Sequence, residues 1–120
     1  MLRMSREEFE RVVARALDGL PDDLGEQIEN VAVVVEDEPT DEELRDVGLD
    51  PETETLFGLY QGVSLDQRGA SSDGLPDRIV IYRLPLLEAC EDRAELVREI
   101  QDTVVHEVGH YFGLDEDDLP

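Results

Sequence analysis

The chain of 120 residues contains two histidines, and they stand four positions apart near its C-terminal end. They are His106 and His110, and Glu107 follows the first of them in the pattern His-Glu-x-x-His. In an α-helix of about 3.6 residues per turn, positions four apart lie one above the other on the same face. Two imidazoles placed in this way can bind one zinc ion, and the glutamate beside them can reach a water on that ion. The motif therefore predicts a metal site on a helix.

The residues after the motif supply candidates for a third metal ligand. Gly113 lies three positions past His110, and a glycine there can take the left-handed conformation that ends a helix and turns the chain back. One carboxylate, two neutral imidazoles and a water make the open tetrahedral site of catalytic zinc. The residues alone leave open which carboxylate of the acidic run binds: Asp115, Glu116, Asp117 or Asp118.

This set of groups predicts hydrolysis of an amide bond by a metal-activated water. Zinc lowers the pKa of its water toward about 7 and polarises the scissile carbonyl. Glu107 would act as the general base, taking the proton of the water and returning it to the leaving amine.

Groups that would assist this chemistry are less sharply defined by the sequence. Asp102 and Glu99 precede His106 by one and two helical turns and are candidates to orient its ring, with exposed helix charges as the favoured interpretation. Residues 78–83 could form an edge strand that pairs with a peptide, although an ordinary strand is favoured. The candidates to stabilise an oxyanion are Tyr60, Tyr82, Arg78 and Arg83.

Size and composition predict one folded domain spanning residues 1–120. Apolar residues make up 40% of the chain, and they are grouped into periodic segments. The net charge of −22 is best interpreted as a solvated, self-repelling surface, and it argues against nucleic acid and anionic membranes as partners. The single cysteine, Cys90, cannot form an internal disulfide and is expected to be a small buried apolar residue. With no signal peptide or membrane span in the sequence, we expect a cytoplasmic location.

Periodicity and capping residues predict an α+β fold, with a small mixed or antiparallel sheet that has helices packed on one face. Ser5 and Glu8 form a capping-box pattern, and glycines inside the second strand suggest bends or a close approach of the backbone. The two strands on either side of the glycine-rich loop 66–76 are expected to pair. The predicted order is helix 5–18, strand 31–35, helix 41–47, strand 56–65, strand 78–83 and a helix from about residue 88 onward.

The motif H-E-V-G-H-Y-F-G-L-D-E, residues 106–116, resembles the HExxHxxGxxH/D pattern of metzincin-type metallopeptidases. The whole chain resembles the small bacterial zincin-like metallopeptidases, or mini-zincins, in its short length, its C-terminal motif, the strand-to-helix segment before it and the stretch L-F-G-L-Y-Q-G at residues 56–62. The resemblance implies a minimal zincin-like fold, in which an edge strand borders a cleft backed by the active-site helix. It also implies a zinc cofactor held by His106, His110 and Glu116, with Glu107 as the general base.

Two departures from the family pattern bear on function. Glu116 stands where His or Asp is usual, and its neighbours Asp115 and Asp117 remain alternative ligands. No methionine follows the motif in these 120 residues, so we expect neither the Met-turn of metzincins nor the lower half of their cleft. We therefore expect a zinc-dependent metallopeptidase that acts on peptides or small proteins.

Two other functions remain open from the sequence. One is a metal-binding regulatory or partner-binding module with an occluded or inactive zincin site. The other is a deformylase-like hydrolase, which is weakened because Cys90 lacks the glycine-rich or leucine-glycine context of a deformylase cysteine ligand. The substrate, the physiological metal and the oligomeric state do not follow from the sequence.

Overall fold

The computed structural model describes residues 1–28, 31–62 and 78–111, with only the backbone at positions 27, 110 and 111. Helices and strands alternate irregularly within these ranges, which confirms the predicted α+β class. In chain order the elements are α1 (Arg6–Asp18), α2 (Asp22–Ile28), β1 (Ala32–Glu36), α3 (Asp41–Asp46), β2 (Gly58–Gln61), β3 (Arg78–Tyr82), α4 (Arg83–Ala89) and α5 (Arg93–Tyr111).

The three described strands form one mixed sheet in the order β1-β3-β2. β1 pairs with β3 in parallel, with Val33 opposite Ile79, and β2 pairs with β3 in the antiparallel sense, with Tyr60 opposite Ile79. The predicted ladder across the loop 66–76 is therefore present. The favoured interpretation of residues 78–83 as an ordinary strand is confirmed, and the alternative of an edge strand is wrong, because β3 has a neighbour on each side. Among the described strands, β1 and β2 are the outer ones.

One face of the sheet packs against α1 and α5. Side chains alternate between the two faces of a strand, and Ile79 and Ile81 of β3 point into the main core. Burying an aliphatic side chain of this size contributes roughly 1.5–3 kcal/mol, so the stripes at helical spacing fix the helices on the sheet. The stripes consist of Phe9, Val12, Val13 and Ala16 on α1 and of Leu96, Ile100, Val104 and Val108 on α5.

The opposite face of the sheet meets α3, so the helices do not all lie on one side. Val80 and Tyr82 of β3 point toward this face and are completely buried. Glu43 of α3 accepts a hydrogen bond of 2.9 Å from the Gln61 side chain of β2. Because both faces of β3 are covered, its residues 79–82 form an uninterrupted apolar run rather than an alternating pattern.

Polar contacts at the helix ends hold α1 against α5. The Ser5 hydroxyl accepts from the Glu8 backbone amide at 3.1 Å, which confirms the Ser5 half of the predicted capping box. The Glu8 carboxylate pairs with Arg93, the first residue of α5. At the other end of α1, the Gln101 side chain of α5 donates to the Ala16 carbonyl at 3.0 Å and so satisfies a terminal acceptor of the helix.

Two helices were not predicted from the sequence. α4 begins at Arg83, where Pro85 was expected to end a strand and lead to a helix from about residue 88. Pro85 occupies the third position of α4, and the backbone N–H that it lacks has no partner inside a helix at that position. α2 is a single short segment between Pro21 and the first strand. No helix in the described ranges is long and apolar enough to cross a membrane.

Candidate metal centre and active site

His106 lies on the face of α5 that points away from the core. Val104 and Val108 are buried, and the histidine, two positions beyond Val104 at about 100° per residue, is turned to the opposite side and is exposed. Its Nδ1 lies 2.9 Å from the Asp102 backbone carbonyl. Because a carbonyl oxygen can only accept, Nδ1 carries the proton and Nε2 carries the lone pair that binds metals.

The orienting group for the His106 ring is therefore a backbone atom. Asp102, one of the two predicted candidates, acts through its carbonyl oxygen rather than through its carboxylate. The other candidate, Glu99, has its carbonyl bound by the Thr103 hydroxyl at 2.7 Å. A hydrogen bond that fixes the tautomer of a histidine is the usual support for a metal ligand.

Glu107 is half-buried and is held by the outer strand β2. Its Oε1 accepts a hydrogen bond of 2.6 Å from the backbone N–H of Tyr60. This contact joins residues 47 positions apart in sequence and sets the predicted base beside the edge of the sheet.

A second contact, one helical turn earlier, sets the distance between α5 and β2. A Cβ atom on Gly58 would lie 2.5 Å from Cγ2 of Thr103 and 3.0 Å from the carbonyl oxygen of Val80, so only glycine fits there. The predicted close approach of the backbone is therefore confirmed at Gly58. Four residues of helix and two residues of strand both advance about 6 Å. The two contacts, Gly58–Thr103 and Tyr60–Glu107, are therefore separated by about the same distance along the helix as along the strand.

The remaining predicted metal ligands lie partly outside the described residues. The backbone of His110 continues α5 one turn after His106, but its side chain is not described. Glu116 and its alternatives Asp115, Asp117 and Asp118 lie outside the described ranges, as does Gly113. Among the side chains that are described, no three His, Cys, Asp or Glu residues come together as a metal-binding group. The full ligand set therefore stays a prediction.

Two of the four candidates for oxyanion stabilisation, Tyr82 and Arg83, are buried or bound to other groups. Tyr82 is completely buried, and its hydroxyl has no hydrogen-bond partner among the described atoms. Burial, and then the negative charge of Glu43, raise the pKa of the Tyr82 hydroxyl well above its usual range. Arg83 donates to the carboxylate of Asp37 and to the carbonyl of Met4, both at 3.0 Å.

The other two candidates lie on neighbouring strands. Arg78 donates from Nε to the Gln61 side chain at 2.5 Å, on the face of the sheet opposite to α5. Tyr60 is the candidate that adjoins Glu107, through its backbone amide.

Cys90 is completely buried, as expected, and burial raises the pKa of its thiol.

Comparison with known proteins places this geometry in a family. The family model described as zincin-like metallopeptidase matches residues 28–120, which include the whole sheet, α5 and the His-Glu-x-x-His motif. The chain belongs to the zincin-like metallopeptidase family. No curated protein matches this zincin.

A solved structure has a similar fold. It is a conserved hypothetical protein from Thermus thermophilus, 23% identical in sequence, with a TM-score of 0.58. The alignment covers 91% of this zincin and 94% of the other chain. At this level of identity the similarity establishes the fold.

Proposed function

We propose that this zincin is a zinc-dependent metallopeptidase that hydrolyses peptides or small proteins. The observation that carries the proposal is the pair of adjacent, oriented side chains on α5. His106 offers Nε2 as a lone-pair donor because Nδ1 is bound to a carbonyl, and Glu107 is held beside it. Membership of the zincin-like metallopeptidase family supports the same chemistry.

The proposed zinc ligands are His106, His110 and Glu116, with Asp115 and Asp117 as alternatives for the third. Imidazole nitrogen and carboxylate oxygen are ligands that zinc prefers, and the orientation of the His106 ring fits this role. When bound, zinc would supply a Lewis acid that polarises the scissile carbonyl and acidifies a water molecule.

The proposed work of the protein groups is proton transfer and orientation. Glu107 takes a proton from the attacking water on its carboxylate and delivers it to the nitrogen of the leaving amine. His106 contributes a fixed ring, because rotation would break its hydrogen bond to the Asp102 carbonyl. The strand β2 lies beside Glu107 through the Tyr60 amide, so a peptide that binds next to this strand would have its backbone near the base.

The experiment that tests the proposal combines metal content with a peptide-library assay on three proteins. After exposure to zinc and removal of the excess, the wild type should retain about one zinc per chain, as a site of this kind holds one ion. His110→Ala should lose it. Glu107→Gln should retain zinc and lose hydrolysis, because the amide cannot take up the proton.

The pattern of results also separates the competing functions. Zinc bound by the wild type without cleavage of any peptide would favour a metal-binding regulatory module over an enzyme. No zinc in the wild type would overturn both the metallopeptidase and the module. Hydrolysis that persists in Glu107→Gln would remove that residue from the role of general base.

A further inference from the structure

We propose that the backbone amide of Tyr60 is a positioning group for Glu107. It holds one carboxylate oxygen at the edge of the sheet and so fixes the direction of the base. The catalytic consequence rests on the proposed function, whereas the hydrogen bond itself can be tested without any turnover. The side chain of Tyr60 has no part in this role.

The direction of the amide follows from the pairing of β2 with β3. The Tyr82 amide donates to the Phe57 carbonyl at 2.9 Å. In an antiparallel pair, the backbone groups of successive residues point alternately toward the partner strand and away from it. Those of Phe57 and Leu59 therefore face β3, and the N–H of Tyr60 faces outward. The described strands do not use this donor, and Glu107 accepts from it.

A neutral donor suits a carboxylate that lies next to a proposed metal site. An ionised, half-buried carboxylate needs a hydrogen-bond donor, and bonds of this kind are about twice as strong as those between neutral groups. An arginine in the same place could bind both carboxylate oxygens and would bring a positive charge next to a metal site. A single backbone amide bonds to Oε1 and brings no positive charge to the carboxylate.

The rigidity of the arrangement comes from the elements on both sides. Tyr60 lies in a strand paired with β3, and Glu107 lies in a helix of 19 residues. The contact between Gly58 and Thr103 prevents the helix from moving closer to the strand. Catalytic groups need to be held within about 0.5 Å of the productive geometry, and two packed elements joined by one short bond provide such a constraint.

Hydrogen exchange of the Tyr60 amide, measured residue by residue by NMR, tests the bond directly. We compare the metal-free wild type with Glu107→Ala, which removes the acceptor, and with Glu107→Gln, which keeps an oxygen at the same place. The Tyr60 amide should exchange slowly in the wild type and in Glu107→Gln. In Glu107→Ala it should exchange about tenfold faster or more, as expected for loss of a bond to a charged group.

The Leu59 amide serves as the internal control, because it faces β3 and should be equally protected in all three proteins. Its protection shows that the sheet remains folded in Glu107→Ala. Equal exchange of the Tyr60 amide in the wild type and in Glu107→Ala, with Leu59 protected, overturns the proposal.

The catalytic role is tested by replacing the Tyr60 peptide nitrogen with an ester oxygen through semisynthesis. This change keeps the side chain and deletes the donor. We expect kcat to fall about tenfold or more with KM and zinc content unchanged, because only the orientation of the base is lost. The matched control is the semisynthetic wild type, which carries the native amide at Tyr60 and passes through the same ligation.

An unchanged kcat in the ester protein overturns the positioning role. If the wild type hydrolyses no peptide, the proposed function fails, and the exchange experiment still decides whether Tyr60 holds Glu107. The two failures are therefore distinguishable.

Discussion

At the scale of single residues, backbone atoms orient both described groups of the site. The Asp102 carbonyl fixes the His106 ring, and the Tyr60 amide fixes the Glu107 carboxylate. The sequence identifies the two side chains through the spacing of the motif. It cannot identify their partners, because every residue type except proline carries the same amide and carbonyl groups.

The buried hydroxyl of Tyr82 gives rise to a prediction about alkaline pH. An exposed tyrosine has a pKa of about 10, and burial together with Glu43 raises the pKa of Tyr82 in the folded protein. The folded state therefore keeps this proton at a pH where the unfolded state loses it. The resulting contribution to stability is fully present below about pH 10 and is lost as the pH rises above that value.

Tyrosinate absorbance during an alkaline titration measures this behaviour. Tyr82 should ionise above the ordinary tyrosine range and together with the loss of native circular dichroism. Tyr82→Phe should delete this late phase, whereas Tyr60→Phe should leave it in place. Ionisation of Tyr82 near the ordinary pKa in a still-folded protein would contradict the prediction.

At the scale of elements, the distance between α5 and β2 depends on the absence of one side chain. Gly58 lets the Thr103 methyl group pack against the strand backbone, and one turn later Glu107 reaches Tyr60. Packing and the site are therefore coupled through a contact that contains no catalytic group.

Gly58→Ala should consequently destabilise the protein by about 1–3 kcal/mol, the usual cost of overpacking a tight contact. The added methyl group would meet both Thr103 Cγ2 and the Val80 carbonyl oxygen. Thr103→Ser removes Cγ2 but keeps the hydroxyl, so the double variant should recover part of the loss. Urea unfolding of the wild type, the two single variants and the double variant provides the measurement.

The recovery should be partial, since the Val80 carbonyl belongs to the sheet and cannot move away. A double variant whose loss equals the sum of the two single losses would show that Gly58 and Thr103 do not interact. A Gly58→Ala protein as stable as the wild type would show that α5 can move away from the strand without cost.

The elements that the sequence predicts well are those with strong local signals. The Ser5 cap and the apolar residues at helical spacing after it predict α1 closely. The apolar stripe that begins at Leu96 predicts the body of α5. The helix 41–47 was predicted from its flanking residues, and Gly48 after it has a φ of 83°, the left-handed conformation that favours glycine. α4 was missed because Pro85 tolerates the first turn of a helix as well as the end of a strand. The order of the strands was not predictable either, because it depends on contacts between distant segments.

At the scale of the whole molecule, the net charge of −22 is the dominant electrostatic property. The chain has 32 acidic and 10 basic residues, so repulsion among carboxylates opposes the compact state. Salt screens this repulsion, and the Debye length falls from about 30 Å at 0.01 M to about 10 Å at 0.1 M. We expect the free energy of unfolding to rise with NaCl concentration, most steeply over this range.

Urea unfolding at a series of NaCl concentrations, with a chelator present to exclude metals, tests this expectation. Sucrose at matched osmolality is the control, because an uncharged solute stabilises proteins without screening charge. A free energy of unfolding that stays constant or falls between about 0.01 M and 0.1 M NaCl would show that ion pairs, rather than repulsion, dominate the electrostatics.

The two outer strands of the sheet share a feature that extends beyond catalysis. Each presents backbone groups to the outside, and a helix side chain binds one of them on each strand: Arg6 of α1 on the Val35 carbonyl, and Glu107 of α5 on the Tyr60 amide. Unpaired strand edges are templates for aggregation, and charged side chains placed on them discourage pairing with another molecule. The carboxylate proposed as the base would thus also discourage self-association through this edge. Replacing Glu107 by alanine removes both the proposed general base and the acceptor that covers the Tyr60 amide. Replacing it by glutamine removes the base and keeps an acceptor at this strand edge.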